Sequence, residues 1–313
     1  MIKAIITIFK ISFTICIIVY ILNFTDFKNI FDLISNSNKI LLMLSFILLV
    51  FVTFLQANRF CWVADNFKIT LNIFESWKNI SIGILFNQVL PSTIGGDGFR
   101  FLNLKEMNHD TKSSFKSIII DRIYGLLSLC VICGLGSLAM LYVNFDSKFI
   151  IVSLVISLTS IIMFFLLPFI LKNFFFNFSK KIRIFNLLND LQLFNKNKIV
   201  IKVFLISILV HIVVSLIGYL ILLSFNVKVN IWPFIWLFSS SLLISTIPIS
   251  IGGWGFREGI FILSMQLINI KMETAIAISL IYAFETSVIG LFGGIIWSAK
   301  LITKKPKITF LSK

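Results

Sequence analysis

Long apolar runs, separated by short polar and basic segments, dominate the pattern of the 313-residue chain. Several runs reach the roughly 20 residues that an α-helix needs to cross a bilayer. The pattern therefore predicts an all-α polytopic membrane protein with six spans. We place these spans at about Ile5–Leu22, Ile40–Ala57, Phe115–Tyr142, Phe149–Leu171, Ile199–Phe225 and Ala275–Ser298.

A glycine-rich decapeptide occurs twice between these spans. PSTIGGDGFR occupies Pro91–Arg100 and PISIGGWGFR occupies Pro248–Arg257, with seven of ten positions identical and an offset of 157 residues. Proline and paired glycines interrupt helices. Each motif follows an apolar stretch, Ile80–Leu90 or Ile231–Ile247, and precedes a short amphipathic piece. We predict two re-entrant hairpins of the form helix–break–helix, with a full crossing as the alternative for the second.

The same offset relates the spans that surround the motifs. It carries Ile40, the start of span two, close to the start of span five, and Ile118, early in span three, to the start of span six. Each unit then contains three spans and one hairpin, and an odd number of crossings places the two units in opposite orientations. This predicts an inverted-topology repeat, an architecture associated with transport through a central site. We expect one integral membrane domain, with repeats at about 1–145 and 146–300 and a basic tail at 301–313.

Basic residues are distributed unevenly between the two predicted faces. With a cytoplasmic N-terminus, 22 of the 28 Lys and Arg residues lie on or near the inner side. This asymmetry predicts that both termini are cytoplasmic in the cell membrane. The net charge of +15 accompanies no zinc-finger spacing or aromatic RNA-binding signature, so no nucleic-acid partner is predicted. A hydrophobic content of 58% also argues against a large soluble core.

An arginine ends both motifs, although the chain uses 23 Lys and only five Arg. Guanidinium forks suit phosphate, and a glycine-rich break before a half-helix offers backbone N–H groups to an anion. We therefore predict an anion site, with ion pairing of Arg100 to Asp97 and of Arg257 to Glu258 as the alternative. The predicted substrate-binding residues are Thr93, Gly95, Gly96, Asp97, Arg100, Arg122, Ser250, Gly252, Gly253, Arg257, Glu258 and Glu285.

Other polar residues of the predicted spans leave two interpretations open. Glu285 and His211 either relay protons or balance an arginine, or they make structural hydrogen bonds. Asp121 and Arg122 open span three as a local pair at the interface. The sequence has no nucleophile beside a base, no metal-ligand motif and no P-loop lysine, so we predict neither an enzyme nor a cofactor or metal.

Three segments resemble the lysylphosphatidylglycerol synthase/flippase transmembrane family, the membrane domain of the multiple peptide resistance factor. They are NQVLPSTIGGDGFRFLNLKE, DRIYGLL and STIPISIGGWGFREGIFIL, and the resemblance covers nearly the whole chain. It implies movement of lipids between leaflets, with anionic or aminoacylated phospholipids or polyprenyl-phosphate-linked sugars as substrates. Its matching positions are Pro91, Gly95, Gly96, Asp97, Arg100, Asp121, Arg122, Pro248, Gly252, Gly253, Gly255, Arg257 and Glu258.

Two departures from the family pattern qualify what the resemblance implies. Asp121 stands where many relatives are expected to carry Glu, which is a conservative change. In fused relatives a soluble C-terminal domain performs aminoacyl transfer, whereas this chain ends about 13 residues after the last predicted span. We therefore expect no synthase chemistry from these 313 residues.

The sequence as a whole predicts flippase-like translocation of an anionic or phosphate-bearing lipid. A membrane lipid is the expected partner, and a lipid- or glycan-modifying enzyme is a candidate second partner. The alternatives are a small-solute or ion-coupled transporter of the same symmetry, and a non-transporting accessory protein of a lipid or glycan pathway. The two motifs are predicted to enter from opposite faces and to meet near the bilayer midplane.

Overall fold

The computed structural model describes residues 27–89, 95–142, 148–174, 194–195, 198–246 and 255–303. These residues form helices and no strands, as the hydrophobic pattern predicts. We number the helices in chain order. They are α1 (Phe27–Ser35), α2 (Lys39–Asp65), α3 (Ile73–Val89), α4 (Gly95–Glu106), α5 (Thr111–Tyr142), α6 (Lys148–Phe174), α7 (Ile199–Ser224), α8 (Ile231–Ser245), α9 (Phe256–Gln266) and α10 (Met272–Thr303).

Four of these helices are long and apolar enough to cross a membrane. They are α2, α5, α7 and the Met272–Ala299 part of α10, which correspond to predicted spans two, three, five and six. Helix α6 covers predicted span four, and its first part, Lys148–Ile162, is an apolar helix. Predicted span one lies outside the described residues.

The bounds of α2 and α3 differ from those predicted. Helix α3 begins at Ile73 and not at Ile80, because Asn72 and Glu75 exchange backbone-to-side-chain hydrogen bonds that start it earlier. Helix α2 continues to Asp65, well beyond the predicted end at Ala57. Its last two turns combine the buried Arg59 with Phe60, Val63 and Ala64, which are fully buried in the bundle.

A solvent-side cap fixes the start of α5. The Oδ2 atom of Asp110 accepts a hydrogen bond from the Ser113 N–H at 2.9 Å. This hydrogen bond holds the pKa of the Asp110 carboxyl below its usual value. Helix α5 therefore starts four residues before the apolar run predicted from Phe115.

The packing of the helices follows one repeated scheme. Helices α2 and α7 pack against each other. Helix α3 packs on α4, and α8 packs on α9 in the same way. Helix α3 also packs on α10, and α8 correspondingly packs on α5. Exchanging α2, α3, α4 and α5 for α7, α8, α9 and α10 also converts the remaining contacts among these eight helices into one another. The paired short helices α3–α4 and α8–α9 thereby lie among the longer ones.

Large apolar side chains cover much of the outer surface of the long helices. On α7, Ile201, Leu205 and Leu209 are exposed at helical spacing, and α10 exposes Phe284 and Leu291 in the same way. Apolar surface of this extent is unfavourable in water and suits contact with lipid tails. The interior, in contrast, holds several buried polar and charged side chains.

Candidate functional site

The first glycine-rich motif begins helix α4, which crosses α3 at very short range. A Cβ atom on Gly96 would lie 2.1 Å from the carbonyl oxygen of Gly83 and 2.6 Å from Oδ1 of Asn87. The Gly96 N–H donates a hydrogen bond to that same Oδ1 atom at 2.9 Å. Gly95 and Gly96 are helical, so the requirement for glycine at Gly96 comes from the approach of α3.

The crossing places the Arg100 side chain in a buried pocket of acceptors. Its Nη1 lies 3.3 Å from Asp97, its Nη2 lies 3.2 Å from Asp121, and its Nε donates to Asn79 at 3.2 Å. The guanidinium also lies over the Phe60 ring, 4.4 Å from its centroid. The aliphatic stem passes over Gly83, where a Cβ atom would approach within 2.8 Å.

Asp121 is shared between two arginines. Its Oδ1 accepts a hydrogen bond from Arg59 Nε at 2.8 Å, while its Oδ2 faces Arg100. Arg59 Nη1 also donates to Ser207 of α7 at 3.1 Å. All three charged side chains are buried. Asp121 is therefore not the local interface partner of Arg122 that the sequence predicted, because its carboxylate faces Arg59 and Arg100 across the bundle.

Arg122 completes the cluster and is its most exposed arginine. Its Nε and Nη2 atoms bind the two oxygens of Asp97 at 2.7 and 3.0 Å. This is a bidentate pair in which the Arg122 side chain remains 48% exposed. Among the described residues, the carboxylates that pair with Arg59, Arg100 and Arg122 are those of Asp97 and Asp121, so three positive and two negative charges leave this cluster with an excess positive charge.

A cavity of about 420 Å³ lies against this arginine cluster. His211 lies in its wall, with Nε2 2.9 Å from the Gly125 carbonyl oxygen and a buried Nδ1 that has no partner among the described residues. Gly125 also gives room to Arg59, whose Nη1 is 3.3 Å from the position of a Cβ atom there. The polar residues that line the cavity are Gln56, Arg59, Asn87, Arg100, Asp121, Arg122, His211 and Thr246.

The second motif ends in a simpler arrangement at the start of α9. Gly255 has a φ of 78°, a conformation that favours glycine, and its N–H donates to Oε2 of Glu258 at 2.7 Å. Arg257 donates to Oε1 of Glu258 from Nη2 at 2.7 Å and from Nε at 3.0 Å. The Arg257 side chain is 30% exposed and does not belong to the lining of the 420 Å³ cavity.

The predicted site residues therefore fall into separate places. Gly95, Gly96, Asp97, Arg100 and Arg122 come together at the cavity or directly behind it, whereas Arg257 and Glu258 form another pair. Glu285 lies elsewhere on α10 and contacts Ser45. Thr93, Ser250, Gly252 and Gly253 lie outside the described residues.

Both ion pairs that the sequence offered as the alternative to an anion site are present in the structure. Arg100 contacts Asp97, and Arg257 contacts Glu258. Arg100 nevertheless has a second carboxylate, Asp121, and a neighbouring cation, Arg59, neither of which the local sequence reveals. The sequence marks Arg59 only by its residue type, because it is one of five arginines in a chain that otherwise uses lysine.

Residues 7–294 match the family model described as the Lysylphosphatidylglycerol synthase TM region. The chain belongs to this family. Membership, together with the four long apolar helices, identifies a multi-pass membrane protein of a lipid-related pathway. No curated protein matches the chain.

Proposed function

We propose that this member of the family moves an anionic or phosphate-bearing lipid between the leaflets of the cytoplasmic membrane. The observation that carries the proposal is the arginine cluster, in which three guanidinium groups and the Asp121 carboxylate border a cavity of about 420 Å³, and Asp97 pairs with two of the arginines. An excess positive charge inside a membrane domain is costly without an anionic partner. A lipid phosphate would supply that partner.

The three arginines have different parts in this proposal. Arg59 and Arg100 are buried and fixed by Asp121, so they provide a positive field that changes little during binding. Arg122 is half exposed, so its bidentate contact can be transferred from Asp97 to a phosphate at small cost. Translocation needs binding and release only, so we propose no covalent chemistry and no enzyme activity at this site.

The repeated motif supports an alternating mechanism. The helix packing is preserved when the two halves are exchanged, as an inverted repeat requires. We propose that the hairpins α3–α4 and α8–α9 enter from opposite faces, with both termini in the cytoplasm. Since the arginine cluster and Arg257 belong to different surroundings, Arg122 and Arg257 would contact the phosphate in turn as one half rocks against the other.

Lipid movement in reconstituted vesicles tests the proposal directly. The purified protein is placed in vesicles that contain a fluorescent phosphatidylglycerol, and a membrane-impermeant quencher reports the fraction of label in the outer leaflet. We expect Arg122→Ala to slow the exchange about tenfold or more, since a charge-assisted hydrogen bond contributes about 1.5–3 kcal/mol. Lys112→Ala, which removes an exposed cation from the same helix, is the matched control.

The lipid dependence of the assay separates this function from its alternatives. A fluorescent neutral glycolipid should exchange no faster than in protein-free vesicles, because it offers no phosphate to the arginines. Binding of phosphatidylglycerol without any exchange would contradict translocation and favour an accessory role. Equal exchange of both lipids would contradict recognition by the arginine cluster.

A further inference from the structure

Glu285 is a buried carboxyl group that the arginine cluster does not use. It lies on α10 within the membrane-spanning part of the helix and is 5% exposed. Its Oε1 contacts the hydroxyl of Ser45 on α2, and its Oε2 is buried with no hydrogen-bond partner among the described residues. An ionised carboxylate in these surroundings would have one donor at most for two oxygens, which is a costly state in an apolar interior.

The hydrogen bonds of Ser45 indicate whether the Glu285 carboxyl group carries a proton. Its Oγ lies 2.7 Å from the carbonyl oxygen of Leu42 and also at hydrogen-bond distance from Glu285 Oε1. A hydroxyl has a single hydrogen and cannot donate to both oxygens at once. If Glu285 is protonated, it donates to Ser45 Oγ, and Ser45 donates to Leu42. A proton on Glu285 therefore satisfies both contacts.

Among the residues that the structure describes, the groups next to Glu285 supply no compensating cation. On α10 itself, Tyr282 lies one turn away and within electrostatic range of both Glu285 and Arg257. From α9, Arg257 is held by Glu258, while α2 presents Ser45 and α3 presents the neutral Gln88. No charged group of the described parts of α1 or α7 interacts with Glu285. Within the described residues, no cation therefore contacts the Glu285 carboxyl group directly.

The position of Glu285 along α10 links it to both glycine-rich motifs. One and a half turns earlier, Ser279 donates to Glu258 at 3.4 Å, next to the second motif. Directly after it, Thr286 and Ser287 contact Gln88, at 3.2 and 2.6 Å, close to the end of α3 and the first motif. A change at Glu285 that moves α10 would therefore act on both hairpins.

We propose that Glu285 carries the coupled proton of the transport cycle, an inference that rests on the proposed lipid translocation. In the conformation described here its carboxyl O–H bond is intact and donates to Ser45. When α10 opens a path to water, that bond breaks, the proton passes to water, and the carboxylate remains. Reprotonation from the opposite face restores the contact with Ser45, so that each cycle moves a proton together with a lipid.

Infrared difference spectroscopy tests the proton directly and without any transport. The protonated acid has a C=O stretching band that an ionised carboxylate lacks. We expect this band at neutral pH in the native protein, its loss in Glu285→Gln, and its shift in Ser45→Ala, which removes only the hydrogen-bond partner. Glu273→Gln, at the start of the same helix, should leave the band unchanged. Identical spectra for the native protein and Glu285→Gln would overturn the proposal.

The coupling itself is measured in the vesicle assay with and without a pH gradient. A gradient should accelerate phosphatidylglycerol exchange by the native protein and by Glu273→Gln. Glu285→Gln, which keeps the neutral shape but cannot release a proton, should lose the acceleration. Native exchange that ignores the gradient would overturn the coupling while leaving translocation intact. Absence of exchange in every variant would instead contradict the proposed function and the coupling together, and the infrared result would still decide whether Glu285 holds a proton.

Discussion

Asp121 joins two guanidinium groups, those of Arg59 and Arg100, inside the helix bundle. A buried carboxylate loses its hydration, and only a close cation with additional hydrogen bonds offsets that loss. Here two cations, each with a further acceptor, surround one carboxylate. Loss of the Asp121 charge is therefore more costly than loss of either arginine, because it leaves two buried cations facing each other.

We therefore expect Asp121→Asn to be strongly destabilising. Breaking a buried pair by removing one partner costs about 3–5 kcal/mol, and here repulsion between Arg59 and Arg100 adds to the loss. Thermal unfolding of the detergent-solubilised protein measures the effect. Asp65→Asn, which removes an exposed carboxylate at the end of α2, should leave the melting temperature nearly unchanged. An equally small shift for both variants would show that Asp121 does not hold the cluster together.

Sequence distance decides which of these residues could be predicted. Arg100 and Asp97 are three positions apart on one helix, and Arg257 and Glu258 are neighbours, so their pairs follow from local spacing. Arg59 and Asp121 are 62 residues apart, and their contact exists only because α2 and α5 pack together. No pattern within either segment encodes that packing, and Arg59 was accordingly absent from the predicted site.

At the scale of helices, the contact between α3 and α4 sets the position of Arg100. Gly83 and Gly96 face each other where the two helices cross, and neither position has room for a side chain. The Arg100 stem occupies the space above Gly83. Any side chain that separates the two helices must therefore also displace the guanidinium from Asp121.

A matched pair of glycine substitutions on α4 tests this dependence. We expect Gly96→Ala to destabilise the protein by about 1–3 kcal/mol, the range for overpacking a tight contact, and to weaken phosphatidylglycerol exchange. Gly98→Ala makes the same chemical change two residues later, where a Cβ atom meets nothing within 4 Å. Because alanine favours the helix over glycine, Gly98→Ala should be neutral or slightly stabilising.

Both the melting temperature and the rate of phosphatidylglycerol exchange are measured for the two variants. A Gly96→Ala protein with native stability and native exchange would contradict the proposed role of the crossing. A Gly98→Ala protein as impaired as Gly96→Ala would show that α4 needs glycine for its backbone and not for its contact with α3. The pair of variants thus distinguishes a requirement for close packing at Gly96 from a general requirement for glycine in α4.

The hydrophobic pattern predicted the presence of the long helices more accurately than their first and last residues. The long spans were predicted because lipid contact demands continuous apolar runs, and α2, α5, α7 and α10 contain such runs. The start of α3 was wrong by seven residues, since Glu75 and Ser76 appear polar in the sequence. In the structure Ser76 donates to the Ala57 carbonyl oxygen and is fully buried, so these polar positions belong to the interior of the bundle.

At the scale of the whole molecule, the two halves share their packing but differ in charge. Adding 157 to the position of Arg100 gives Arg257, whereas the same step converts Arg59 to Leu216 and Asp121 to Ile278. In the described parts of the chain, the first half therefore holds a buried charge cluster, and the second half holds the Arg257–Glu258 ion pair at α9. Two related scaffolds with unequal sites are what a transporter needs if it binds its substrate more firmly on one side.

If the two halves have opposite orientations, their equivalent loops lie on opposite sides of the membrane. Lys112 follows α4 and Lys271 follows α9, and both are exposed. In a variant without the four native cysteines, we expect Lys271→Cys to react with an impermeant maleimide in intact cells and Lys112→Cys to react only after permeabilisation. The basic residues near Lys112 predict its cytoplasmic position. If both cysteines react from the same side, the two halves are parallel, and alternating entry of the two motifs fails even if the helix packing is correct.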